Sequence, residues 1–127
     1  MIYGNGIDII EIDRIEKIVK RHPNFLKKYF NEKEIEYFNR KKNIYESVAG
    51  YFAGKEAISK SIGEGIRDYN LKDIEILKDD LNKPYVKLHN NAKTIAEKKD
   101  IKEIFLSISH CKVYAVANAV ATVNIKG

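Results

Sequence analysis

Ile44-Tyr45-Glu46-Ser47-Val48-Ala49-Gly50-Tyr51-Phe52-Ala53-Gly54-Lys55-Glu56-Ala57-Ile58-Ser59-Lys60-Ser61-Ile62-Gly63 is the stretch on which the fold turns. Ile44, Val48, Phe52, Ala53, Ala57, Ile58 and Ile62 recur at helical spacing, which predicts a helix over 44–62. Gly63 stands where a C-terminal cap belongs, and Gly65 follows. Glu56 and Lys60 lie four apart and share a face. On a wet helix such a pair is worth only about 0.3–0.5 kcal/mol. Here its neighbours are Phe52, Ala53, Ala57 and Ile58, so a charged pair on an apolar helix stands out.

Upstream, residues 2–12 are Ile-rich and broken by Gly4 and Gly6, the pattern of a strand. Residues 13–21 read as a helix, with Asp13 as its expected N-cap and Ile15, Ile18 and Val19 on one face. Pro23 ends it. Asn31 with Glu34 resembles a capping box for a short helix reaching about Arg40. Downstream, 71–78 alternate as a strand through Leu71, Ile74 and Ile76. Asp79 to Lys83 forms a hairpin loop, and Pro84 to Leu88 the returning strand. Residues 90–99 read as a short helix. Two β-branched runs, 103–110 and 112–125, meet at Ser109-His110-Cys111-Lys112. Helices mixed with hairpins predict an α+β fold, an antiparallel sheet with packed helices.

The chain has 127 residues, 44% hydrophobic and 32% charged, so it suits one domain, 1–127, with a core of its own. Lys+Arg exceeds Asp+Glu by five, which favours acidic partners. The one cysteine, Cys111, excludes an intrachain disulfide and a Cys-rich zinc site, and fits a reducing compartment. No secretory signal and no apolar stretch of about 18 residues occurs, so a cytoplasmic protein that meets no membrane is expected.

Four features can carry chemistry. Asp8 sits in the apolar strand Gly6-Ile7-Asp8-Ile9, on the face opposite Ile7 and Ile9. A carboxylate there must be exposed, paired or bound to a cation. Glu56 and Lys60 are the second feature. Ser107-Ile108-Ser109-His110 is the third, a histidine able to meet an anion or move a proton. Residues 14–28 are the fourth. They hold Arg14, Lys17, Lys20, Arg21, Lys27 and Lys28 against Glu16, a surplus equal to that of the whole chain. Arg14, Lys17 and Arg21 form one stripe, either a solvated face or a docking surface. No Walker A loop, G-x-G-x-x-G, H-E-x-x-H or G-x-S-x-G motif is present.

In this order the blocks resemble the small class of phosphopantetheinyl transferases, the holo-acyl-carrier-protein synthases. Gly4-Asn5-Gly6-Ile7-Asp8-Ile9 is similar to the family's G-x-G-x-D strand. Phe52 to Gly63 resembles its (F/W)-A-x-K-E-A-x-x-K-A-x-G helix, and Ser107 to His110 its S-I-(S/T)-H. Asn82-Lys83-Pro84-Tyr85 matches the hairpin between them. Together they span nearly the whole chain.

The resemblance implies transfer of 4'-phosphopantetheine from coenzyme A to a serine of an acidic apo acyl carrier protein, for fatty acid and lipid biosynthesis. Adenosine 3',5'-bisphosphate leaves. It implies magnesium held by Asp8 and Glu56, a pair suited to an ion that takes one or two carboxylates beside phosphate oxygens. Glu56, Lys60 and His110 are implied as catalytic, with Glu56 or a metal-bound water taking the serine proton. Lys55, Lys60, Gly63, Gly65, Lys83, Pro84 and His110 are implied to contact coenzyme A. Arg14, Lys17 and Arg21, with Ile18 and Phe25 as apolar anchors, would dock the carrier protein. A homotrimer with sites at subunit interfaces is implied as well.

Three positions depart from the family pattern. Tyr51 stands where many members have Arg, so a phosphate contact is expected to be absent or supplied elsewhere, for example by Lys112. Gly54 replaces Ala, at a cost of roughly 0.5–1 kcal/mol in a helix or to admit a close neighbour. Cys111 replaces a hydroxyl residue. The alternatives are a basic nucleic-acid-binding module built on residues 14–42 and an inactive trimeric scaffold. The transferase reading expects no nucleic acid partner.

Overall fold

The computed structural model describes residues 1–63 and 70–125. β1 (Ile2–Glu11) runs directly into α1 (Ile12–Arg21); α2 (Phe25–Tyr29), α3 (Glu32–Asn39) and α4 (Ile44–Ile62) follow. A 3-10 turn (Leu71–Asp73) leads into β2 (Ile74–Lys78), then come β3 (Pro84–Leu88), α5 (Asn90–Lys98), β4 (Ile101–His110) and β5 (Tyr114–Val123). The chain is α+β, as its patterning predicts.

β1, β5 and β4 form an antiparallel sheet in that order, and β2 and β3 form a hairpin. Asp8 of β1 and Ile108 of β4 both pair with Ala117, so the three share one row. α4 lies across all three strands and is also touched by α1, α3 and β2. It can lie close because the strands beneath it are stripped of bulk. Ala115, Ala117, Ala119 and Ala121 of β5 all face it and are buried. On β1 the close approach falls at Gly6. A side chain there would press on the Ala57 carbonyl oxygen, its first carbon 2.7 Å from Lys60 Cβ and 2.9 Å from Ser61 N. No residue but glycine fits without moving the helix.

Among the described residues the other face of the sheet is exposed. Ile7 is 63% exposed, Ile9 62% and Phe105 51%. Strand alternation thus separates Asp8 from Ile7 and Ile9 as expected, with the carboxylate on the helix side.

The helix boundaries follow local chemistry. Asn43 Oδ1 accepts from the Tyr45 N–H at 3.0 Å to open α4, and Gly63, at φ +88°, closes it in the left-handed region. The Glu34 carboxylate reaches back to the Asn31 N–H at 2.8 Å, so the capping box of α3 forms. Two expectations need correction. Glu11, not Asp13, is the N-cap of α1, because the strand passes into the helix without a break. Asp13 lies in the first turn, where it faces the positive end of the helix dipole. Residues 71–73, read as strand, form the 3-10 turn instead, held by the Asp73 N–H to Asn70 carbonyl bond of 2.9 Å. α2 has no expected counterpart: five residues are too few for a periodic signal.

Candidate active site

β1 and α4 bring together the first two sequence features. Lys60 Nζ donates to Asp8 Oδ1 at 3.2 Å and to the Ile7 carbonyl oxygen at 2.9 Å. Glu56, one turn back on α4, is half-buried. Burial raises its carboxyl above the usual range, the Asp8 charge raises it further, and Lys60 opposes both. Two carboxylates, 48 positions apart in the chain, therefore sense each other around one ammonium. Their donor set is all oxygen and doubly negative, which fits a hard divalent cation that completes its shell with water and phosphate. Among the described residues no group of three or more His, Cys, Asp or Glu could hold a metal unaided.

Lys55 is a correction. Expected to meet coenzyme A, it is fully buried, and its ammonium donates to Glu34 Oε1 at 2.9 Å, Tyr29 O at 2.9 Å and Leu71 O at 3.1 Å. Those three bonds use all its donors. Glu34 Oε2 also accepts from the Ile76 N–H at 3.1 Å. Burial pushes Lys55 down and Glu34 up, and each one's charge pushes the other back. The pair ties α2, α3, α4, the 3-10 turn and β2 together. Glu34 is the residue sequence reasoning missed: its capping role was visible, its second partner 21 positions away was not.

His110 ends β4, and its Nδ1 lies 3.3 Å from Glu46 Oε2 in the first turn of α4. Glu46 and Glu56 stand ten positions apart, roughly 15 Å along a helix. Within one chain His110 is therefore not brought to Asp8, Glu56 and Lys60. Lys83 and Pro84 border a groove of about 690 Å³ between β3 and β4, whose lining includes none of those three residues. Gly63 caps α4; Gly65 lies outside the described residues.

Arg14, Lys17 and Arg21 are all exposed on α1. Ile18 lines a hollow of about 470 Å³ with His22, Asn24, Phe25, Lys28 and Tyr29. Phe25 is only 9% exposed, and its ring packs 5.0 Å from Tyr29 and 6.0 Å from Phe52. This corrects its reading as an outward anchor: the ring is spent on the core. Tyr51 is buried and stacked on Tyr37 at 5.2 Å, so it presents nothing to a ligand. Gly54 does admit a close neighbour, since a side chain there would put its first carbon 2.9 Å from Ile76 Cδ1.

Among the described residues no helix is long and apolar enough to cross a membrane. The family model described as the 4'-phosphopantetheinyl transferase superfamily matches residues 4–119. A holo-acyl-carrier-protein synthase of Alkaliphilus oremlandii (strain OhILAs) is 54% identical over 121 residues, 95% of this chain and 99% of that protein. The crystal structure of a holo-ACP-synthase from Plasmodium yoelii superposes with a TM-score of 0.87 at 38% identity, covering 98% of each chain. That of the Helicobacter pylori holo-acyl-carrier-protein synthase in complex with coenzyme A gives 0.82 at 38% identity, covering 93% of this chain and 99% of that one.

Proposed function

This chain belongs to the holo-acyl-carrier-protein synthases of the 4'-phosphopantetheinyl transferase superfamily, and from that premise we propose how its residues divide the work. The enzyme transfers phosphopantetheine from coenzyme A to acyl carrier protein and so serves lipid biosynthesis. The observation that supports the assignment of its site is the Asp8–Lys60 contact of 3.2 Å with Glu56 one turn away.

In the reaction the carrier serine Oγ forms a bond to the β-phosphorus of coenzyme A. The bond from that phosphorus to the bridging oxygen breaks, and adenosine 3',5'-bisphosphate leaves. Such a step needs positioning and charge stabilisation more than covalent help from the protein. Asp8 and Glu56 would hold magnesium, which would supply charge neutralisation to the pyrophosphate. Lys60 sets its ammonium against the charge that grows on the leaving phosphate. Glu56, or a water held beside the carboxylate pair, takes the serine proton. Gly63, Lys83 and Pro84 border the nucleotide.

The site is completed by a second copy. His110, at the end of β4, meets the start of α4 at Glu46, away from its own chain's carboxylates, and the exposed Ile7, Ile9 and Phe105 offer the apolar face that a homotrimer would bury. A neighbouring copy then supplies His110 to the 3'-phosphate side of coenzyme A. Arg14, Lys17 and Arg21 dock the acidic carrier protein, with Ile18 as the apolar contact. Residues 1–127 work as one domain, and the exposed, unbridged Cys111 fits the cytoplasm. The nucleic-acid reading gives way because it leaves Asp8, Glu56 and Lys60 without a role. The scaffold reading gives way to the enzyme family.

The test is intact-mass spectrometry of apo acyl carrier protein after incubation with enzyme, coenzyme A and magnesium. One added phosphopantetheine group is expected, absent with a chelator and absent with Asp8→Asn or Glu56→Gln at unchanged circular dichroism. Full modification by either folded variant would remove the metal assignment.

A further inference from the structure

We propose that Lys60 is the built-in cation of the Asp8–Glu56 carboxylate pair, and that its displacement couples metal binding to coenzyme A binding. The inference rests on the site reading above and deepens it. Lys60 Nζ spends two of its three donors on Asp8 Oδ1 and the Ile7 carbonyl, at 3.2 Å and 2.9 Å. It thereby sits on the carboxylate that a metal would use. The i,i+4 relation to Glu56 lets one ammonium serve both acids.

The placement is not rigid. The Lys60 side chain is 54% exposed while that of Asp8 is 21% exposed, so the lysine can swing into solvent and the carboxylate cannot follow it. Asp8 cannot serve the Lys60 ammonium and a divalent ion at once, so an ion held by the carboxylates would cost Lys60 that partner. The released ammonium then needs an anion within reach, and the coenzyme A pyrophosphate is one. Metal and coenzyme A each bind more tightly when the other is present, because each takes one partner in an exchange that Lys60 otherwise blocks. Linkage makes the effect reciprocal.

Three variants and manganese(II) as the probe test this. Calorimetry and the electron paramagnetic resonance signal of free manganese give metal affinity without turnover, with and without coenzyme A. Lys60→Gln is expected to bind manganese about tenfold more tightly than the wild type in the absence of coenzyme A, within the span of ordinary site coupling. Coenzyme A should then add less to metal affinity in Lys60→Gln than in the wild type. Lys60→Arg keeps the cation and should stay near wild type. Asp8→Asn should lose the metal. If Lys60→Gln binds manganese no better than wild type, or not measurably, while Asp8→Asn abolishes wild-type binding, the coupling is overturned and the metal site stands. If Asp8→Asn binds as wild type does, the site reading itself falls.

Discussion

Lys55 and Glu56 are neighbours in sequence with opposite fates. Lys55 turns inward to Glu34, and Glu56 turns to β1. Lys55→Met leaves the Glu34 carboxylate buried without its partner. Breaking such a pair costs about 3–5 kcal/mol, to be read from urea unfolding. A loss below about 1 kcal/mol would show that the ion pair contributes little of what its geometry suggests. Cys111 gives a second prediction. The Tyr114 N–H, 3.4 Å from its Sγ, and that of Val113 hold the exposed thiol below its usual value. A lowered value means more thiolate at a given pH, so the pH curve for alkylation by iodoacetamide should have its midpoint below that of a cysteine peptide. A midpoint at or above the peptide's would contradict the turn geometry. Asp8, Glu56 and Lys60 were legible as candidates because a strand and a helix register each impose a face. Lys55 carried a ligand contact only by resemblance, and no pattern could show that its partner, Glu34, waits on another helix. Pattern reports which side of an element a residue takes, not what waits there.

At the scale of elements the chain depends on how closely α4 settles on the sheet. Gly6→Ala drives a methyl into Ala57, Lys60 and Ser61 and forces α4 away from β1. Overpacking of this kind costs about 1–3 kcal/mol. Because Glu56 and Lys60 ride on the same turns, a shift of about 1 Å should lower kcat by roughly a hundredfold. Urea midpoints and turnover measured on one preparation check both. A variant that loses stability and keeps kcat would separate packing from the site. The long helix, the hairpin and the paired terminal strands could be read in advance because each carries many residues of one period. α2 and the 3-10 turn could not, since neither is long enough for a period to repeat. Asp13 looked like a cap because it is a good capping residue. The unbroken passage from β1 to α1 overrode that preference.

At the scale of the molecule, the histidine meets α4 at its start, beside Glu46, and the carboxylate pair meets it near its end, at Glu56. Glu56→Gln and His110→Ala should each be inactive alone. Mixed and reassembled, they should regain about a quarter of the wild-type sites, those in which an intact carboxylate pair meets an intact histidine across a closed ring of copies. No recovery on mixing, with hybrid assembly verified by native mass spectrometry, would place the whole site within one chain. Ile9→Lys on the open sheet face should yield a smaller species in sedimentation and a parallel fall in activity. The alanine row of β5 carries a last consequence, for history rather than chemistry. Ala115, Ala117, Ala119 and Ala121 face α4 with no room to grow, while Val116, Asn118 and Val120 alternate with them on the other side. Drift along this strand is therefore confined to every second codon, and those codons write the sheet face of Ile7, Ile9 and Phe105, so what they may become is settled by a neighbouring copy rather than by the helix.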